Sequence, residues 1–152
     1  MFSKPWQSES FESRDGGFGP LLKRALSADQ RSKDIVSGIC FRQVVDEMAE
    51  VVAATGRRAL VGASAEGHAL VGALTYVLPD ARLWTPGHAE EVLVIDVVVA
   101  SIAGLDATGQ YACRMGATSV AALVVEILED EPQRGPIVGD VMSLSRQIPL
   151  AA

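Results

Sequence analysis

The spacing of apolar residues predicts two helices in the first third of the chain. In FRQVVDEMAEVVAATG, residues 41–56, apolar side chains recur at steps of three and four residues. Gly56 then stands where a helix commonly ends. A further helix is predicted before it, in GPLLKRALSADQRSKD, residues 19–34. Residues 1–20 are polar and glycine-rich and have no period, so we expect a flexible or covering arm there.

Beyond residue 57, short apolar runs alternate with helical segments. Strands are predicted at residues 58–62, 81–84, 92–97 and 118–127, and helices in HALVGALTYVL (68–78) and GLDATGQYACRMG (104–116). Strands that are apolar on both faces and alternate with helices are typical of a parallel sheet that is covered on both sides. The prediction is an α/β fold with a mostly parallel sheet of four to five strands and helices on both faces. Residues 21–152 are expected to form it as a single domain.

Composition and charge exclude several classes of protein. The 152 residues are 49% hydrophobic and 21% charged, which suits one globular domain. A net charge of −6 argues against a broad nucleic-acid interface. No apolar run is long enough to cross a bilayer and the N-terminus lacks the apolar core of a secretory signal, so we expect no membrane association and a cytoplasmic location. Cys40 and Cys113 lie in apolar stretches and are expected to be buried free thiols. Four basic residues of the first helix are expected to form a solvated face: Lys23, Arg24, Arg31 and Lys33.

Two loops are predicted at the carboxyl edge of the sheet, where α/β proteins bind ligands. They follow the first and third strands, at residues 63–67 and 97–104. The first, in GASAEG, admits two motif interpretations. One is a dinucleotide fingerprint in which Ser64 replaces a glycine, and the other is a nucleophile elbow in which Glu66 replaces the last glycine. His68 and His88 are the candidate bases for the elbow.

A third interpretation takes the two loops together. VLVID, followed by a loop and a helix, resembles the phosphoribosyl-diphosphate (PRPP) motif of type I phosphoribosyltransferases, and GASAEGHALVGAL resembles the earlier loop that holds pyrophosphate in that family. The orotate phosphoribosyltransferase branch is the most similar, and the order of elements matches over about residues 20–148, including TSVAALVVEIL and GPIVGDVMSLSRQIPL. The resemblance implies a phosphoribosyltransferase-like fold, transfer of phosphoribosyl from PRPP to a nucleobase, magnesium as cofactor, and a homodimer.

The resemblance also assigns site residues. Asp96 falls on the first carboxylate of the PRPP motif, which implies a catalytic residue at the ribose hydroxyls and a magnesium ligand. The implied ligand is an anionic sugar phosphate. Its 5′-phosphate would lie over the second loop, at Ala100, Ser101, Ile102, Ala103 and Gly104. Its pyrophosphate would lie at the first loop, at Ala63, Ser64, Ala65, Glu66 and Gly67.

Several family positions carry other residues here. The second acid of the motif falls on Val97, and a glycine of the loop falls on Ile102, whose branched side chain obstructs close backbone approach. TPGHAEE, residues 85–91, contains none of the basic residues that stabilise a departing pyrophosphate. These changes predict that transfer is weak or lost. The alternative is a non-catalytic binding or assembly protein on the same fold, with Asp96 held at a strand end by backbone N–H groups.

Overall fold

The computed structural model of the chain describes residues 18–129 and 137–145. These residues form four helices: α1 (Phe18–Ser37), α2 (Phe41–Thr55), α3 (Ala65–Val77) and α4 (Ala103–Arg114). They also form five strands: β1 (Ala59–Gly62), β2 (Arg82–Leu83), β3 (Glu91–Val99), β4 (Ser119–Ile127) and β5 (Val141–Ser143).

The five strands form one sheet in the order β2-β1-β3-β4-β5, and every neighbouring pair is parallel. The predicted α/β fold with a parallel sheet is therefore confirmed. The fifth strand comes from the segment GPIVGDVMSLSRQIPL, for which the sequence pattern specified no strand boundaries. Strand β3 is longer than predicted because its neighbour β4 continues to pair with it as far as Val99.

The core has two layers, one on each face of the sheet. Helices α1, α2 and α3 pack on one face and α4 packs on the other. Alternate residues of β3 serve the two layers: Leu93 and Ile95 join the first, whereas Val92 and Val94 join the second. Because both faces of β3 are covered, its residues 92–98 are all buried, and this is why the segment reads as a continuous apolar run.

Two expectations from the sequence need correction. The N-terminal arm was expected to span residues 1–20, but α1 begins at Phe18, and residues 1–17 lie outside the described residues. Cys40 and Cys113 are free but exposed rather than buried. Cys40 lies in the turn between α1 and α2, and Cys113 points to solvent from α4 beside the buried Ala112, since apolar neighbours in sequence need not share a face. Within the described ranges, no helix is long and apolar enough to cross a membrane.

Candidate functional site

Strand β3 extends beyond the end of β1, and Asp96 is the first residue of β3 after the two strands stop pairing. The register pairs Gly62, the last residue of β1, with Ile95. The N–H of Ala63 donates to the Ile95 carbonyl at 3.0 Å before the chain turns into α3. Asp96 therefore lies inside β3, three residues before its end, and not at the strand end that the sequence predicted. The loop after β1 passes directly over it.

Ser64 joins the first loop to Asp96. It is the N-cap of α3, and its hydroxyl accepts the N–H of Gly67 at 3.0 Å. The same hydroxyl donates to Oδ1 of Asp96 at 2.6 Å, and the N–H of Val97 donates to that oxygen at 2.9 Å. Oδ1 thus accepts two hydrogen bonds from the protein itself. Oδ2 takes part in no hydrogen bond with any described residue.

Two glycines let α3 approach the strand ends this closely. A Cβ atom on Gly67 would lie 2.6 Å from the Ile95 carbonyl oxygen and 3.2 Å from Oδ1 of Asp96. A Cβ atom on Gly62 would lie 2.5 Å from the backbone nitrogen of His68. The contacts with Ile95 and His68 are the shortest, and they are with backbone atoms that cannot move aside. Both glycines therefore serve helix–strand packing, and this packing fixes the position of the Ser64 hydroxyl.

Burial raises the pKa of Asp96 above its ordinary value. The side chain is 8% exposed, and removing a carboxylate from water disfavours its charged form. The hydrogen bonds from Ser64 and Val97 oppose this effect, the charge of Glu66 adds to it, and His68 weakly opposes it. The pKa is raised overall, so the two hydrogen bonds do not fully offset the loss of hydration of the carboxylate.

The residues around Asp96 do not fit a resident magnesium ion. The part of the chain that the structure describes contains no group of three or more His, Cys, Asp or Glu side chains that could hold a metal. Val97, the residue that follows Asp96, is apolar and fully buried. Mg²⁺ requires near-octahedral oxygen ligands, whereas one oxygen of Asp96 is already engaged by two donors. No step is therefore assigned to a metal ion.

The second loop is short and turns its central side chain inward. Ala100, Ser101 and Ile102 alone separate β3 from α4, so Ala103 and Gly104 already belong to the first helical turn. Ile102 is 3% exposed and packs in the core layer under α4. Its carbonyl accepts the N–H groups of Leu105 and Asp106, and no side chain caps the helix. The loop is thus anchored in the core by an apolar residue.

Basic side chains reach this edge of the sheet from α1, which the sequence analysis treated as a solvated face. Arg31 forms an ion pair with Glu126, near the end of β4. Lys33 bonds to Asp29 at 2.9 Å. This bond and the charge of Asp29 raise the pKa of Lys33, and Glu66 of α3 adds a smaller effect of the same sign. Both cations are paired with acids of the protein.

The structure identifies one further residue at this edge, Ser32, which the sequence analysis missed. Ser32 is 3% exposed, and its hydroxyl donates to the Val98 carbonyl at 3.1 Å and accepts the Val98 N–H at 3.0 Å. It thereby occupies the side of β3 that β1 no longer covers. The signal was present in the sequence, because Ser32 lies four residues after Ala28 and three before Ile35 on the apolar stripe of α1.

The geometry supports neither of the other two motif interpretations of GASAEG. Ser64 has extended backbone angles, φ −147° and ψ 175°, which are those of a helix N-cap and not of a strained nucleophile elbow. A dinucleotide site needs a carboxylate at the end of the second strand to bind the ribose. Strand β2 ends at Leu83, and the next residue is Trp84. The observed role of Ser64 is to tie α3 to Asp96.

Comparison with models of known protein families finds no match for this chain. A comparison with curated proteins finds no significant match either.

Proposed function

We propose that this chain is a divergent phosphoribosyltransferase-like protein in which phosphoribosyl transfer is lost, and that it acts as a non-catalytic binding protein on that fold. The observation that carries the proposal is the state of Asp96. Its carboxylate is almost buried, and its Oδ1 atom is engaged by Ser64 and by the N–H of Val97. A ribose hydroxyl would have to compete with these internal donors for Oδ1.

The charges at the carboxyl edge also argue against efficient transfer. A departing pyrophosphate needs preorganised cations, which contribute several kcal/mol in enzymes that use them. The connection between β2 and β3 carries His88 and no Lys or Arg. Arg31 and Lys33 are paired with acids, and Glu66 places a negative charge at the start of α3. A polyanionic donor would therefore meet acids or neutralised cations.

Residual transfer is the second candidate, and one observation favours it. Oδ2 of Asp96 has no hydrogen-bond partner among the described residues, and the side chain is not completely closed off from solvent. A sugar hydroxyl that reached Oδ2 would bind without displacing Ser64. Weak phosphoribosyl transfer from PRPP to a nucleobase would then use Asp96.

Calorimetry and turnover assays separate these candidates. We expect no heat of binding for PRPP with Mg²⁺, and no turnover with orotate, purines or pyrimidines. Asp96→Asn is the diagnostic variant, and Asp80→Asn, an exposed acid in the turn before β2, is the matched control. Turnover that Asp96→Asn abolishes and Asp80→Asn leaves intact would establish residual transfer and overturn the non-catalytic assignment.

The proposal includes a cytoplasmic location and a homodimer. Two free, exposed cysteines suit a reducing compartment. The first half of α1 exposes three leucines, Leu21, Leu22 and Leu26, which a second subunit would cover. Light scattering at tens of micromolar should therefore give twice the mass of the chain. A monomeric mass would remove the dimer from the proposal.

A further inference from the structure

The face of the sheet that carries α4 is covered unevenly. Helix α4 packs on β3 and β4, and Ile137 and Val138 extend that layer against Gly109. No described helix packs on the same face of β1 and β2. Leu83, on the edge strand β2, is 55% exposed, and Tyr111, on the flank of α4 beside the uncovered strands, is 44% exposed. Parallel sheets are normally covered on both faces, so this gap is a departure from the pattern.

The gap forms a cleft with a volume of about 500 Å³. Its apolar walls include Leu83, Trp84, Pro86 and Tyr111, and its polar groups are His68 of α3 and Thr108 of α4. Small-molecule sites commonly have volumes of about 300–1,000 Å³ and mostly apolar walls with a few polar groups. The cleft has this composition, and Gly62 at the end of β1 lies at its edge.

Two aromatic rings define the shape of the ligand. Trp84 is 3% exposed, and its Nε1 atom donates to the His88 carbonyl at 3.1 Å, so the indole is a buried, apolar part of the cleft wall. Tyr111 lies with its ring centre 6.5 Å from that of Trp84 and at 86° to it. A flat ring that stacks on the exposed Tyr111 ring is also nearly perpendicular to the indole plane, and edge-to-face arrangements of aromatic rings are favourable. The two rings therefore favour a planar aromatic ligand over a saturated one.

His68 and Thr108 supply the hydrogen bonds. Neither side chain is hydrogen-bonded to another described residue. The two groups belong to different helices and line the same cleft, so both can bond to a ligand that lies between them. No Lys, Arg, Asp or Glu lines the cleft, which favours an uncharged ligand.

We propose that this cleft is a binding site for an uncharged, planar heteroaromatic molecule, which stacks on Tyr111 and hydrogen-bonds through its edge to His68 or Thr108. Neither Asp96 nor any residue of the loop 100–104 lines the cleft.

The probe for this site is caffeine, which is flat and uncharged and has no ring N–H that phosphoribosyl transfer could use. Caffeine is titrated into the ¹⁵N-labelled full-length chain, and amide and indole N–H signals are followed by NMR. We expect the signals of Gly62, Ala107, Thr108 and the Trp84 indole to move together and to saturate. A Trp6→Phe variant assigns the indole signals, since the chain has two tryptophans. Cyclohexanol serves as the saturated control ligand.

Two tyrosines provide matched variants. Tyr111→Ala should raise the Kd for caffeine about tenfold, because a stacking partner and its buried area are lost. Tyr76→Ala removes a tyrosine that is 91% exposed and does not line the cleft, and it should leave the Kd unchanged. The proposal is overturned if no signals move, if cyclohexanol moves the same signals at the same concentrations, or if the two variants weaken binding equally. Shifts at these residues on changing protein concentration alone would also overturn it, because a second copy would then cover the cleft.

Discussion

Replacing Ser64 with alanine removes two hydrogen bonds with one substitution. The hydroxyl caps α3 by accepting the N–H of Gly67, and it donates to the carboxylate of Asp96. Alanine fits the same backbone without strain because Ser64 is in an extended conformation. The loss of stability should therefore report on the two bonds and not on a distorted loop.

The size of the effect follows from the two contacts. Loss of an N-cap typically costs about 1 kcal/mol. Loss of a hydrogen bond to an ionised group costs about 1.5–3 kcal/mol, and at 8% exposure little water can replace the donor to Asp96. Ser64→Ala should therefore lower the free energy of unfolding by about 3 kcal/mol at neutral pH. It should also raise the pKa of Asp96 further, because the bond from Ser64 opposes the effect of burial.

Urea unfolding followed by circular dichroism measures this loss. Ser37→Ala is the control, since it removes an exposed serine hydroxyl near the end of α1 and should cost less than about 0.5 kcal/mol. In the Asp96→Asn background, Ser64→Ala should cost less, because the buried acceptor is then uncharged. We expect a coupling energy of about 1 kcal/mol or more between the two positions. Equal costs in both backgrounds would refute the role assigned to the bond between Ser64 and Asp96.

Three other substitutions test the remaining contacts by the same urea assay. Folding disfavours the ionised form of Asp96, because its pKa is raised in the folded state. The stability of Asp96→Asn relative to the native chain should therefore increase as pH rises from below 3.8, the ordinary pKa of the group, through the raised pKa of the folded state. A stability difference that does not depend on pH would contradict this. Ser32→Ala leaves the buried N–H and carbonyl of Val98 without their partner and should cost at least about 2 kcal/mol, with exposed Ser27→Ala as the control. Arg57→Ala removes bonds to the Val92 carbonyl and to Ser119 at the amino ends of β3 and β4, and a cost of about 1–2 kcal/mol is expected, whereas a neutral result would show that water replaces the guanidinium.

The fold could be predicted from the sequence because each strand carries its own signal. Residues 92–99 are apolar apart from Asp96, and β4 has a similar composition, so burial on both faces could be inferred without knowing their neighbours. Boundaries were less accurate where side-chain chemistry decided them. Helix α3 begins at Ala65, three residues earlier than predicted, because Ser64 caps it and Glu66 suits its first turn.

The candidate site could be predicted only in part, because its contacts depend on register. The loop over Asp96 was located by its position after β1, but the bond from Ser64 spans 32 residues and follows from the pairing of Gly62 with Ile95. No local pattern specifies that pairing. Likewise, the sequence shows a branched apolar residue at Ile102 in a loop of small residues, but only the packing shows that it fills the core under α4. The cleft beside Tyr111 depends on which strands α4 leaves uncovered.

The attachment of α1 has a consequence for the order in which the protein folds. Ser32 bonds to Val98, 66 residues later, and Arg31 pairs with Glu126, 95 residues later. Contacts between residues so distant in sequence form slowly, and neither partner exists until the ribosome has made most of the domain. Helix α1 is made before the strands to which it is attached, and it should therefore be secured only after β3 and β4 have formed. Until β3 and β4 have paired, its apolar stripe is available to chaperones, and β3 has an open edge to which another nascent chain can add.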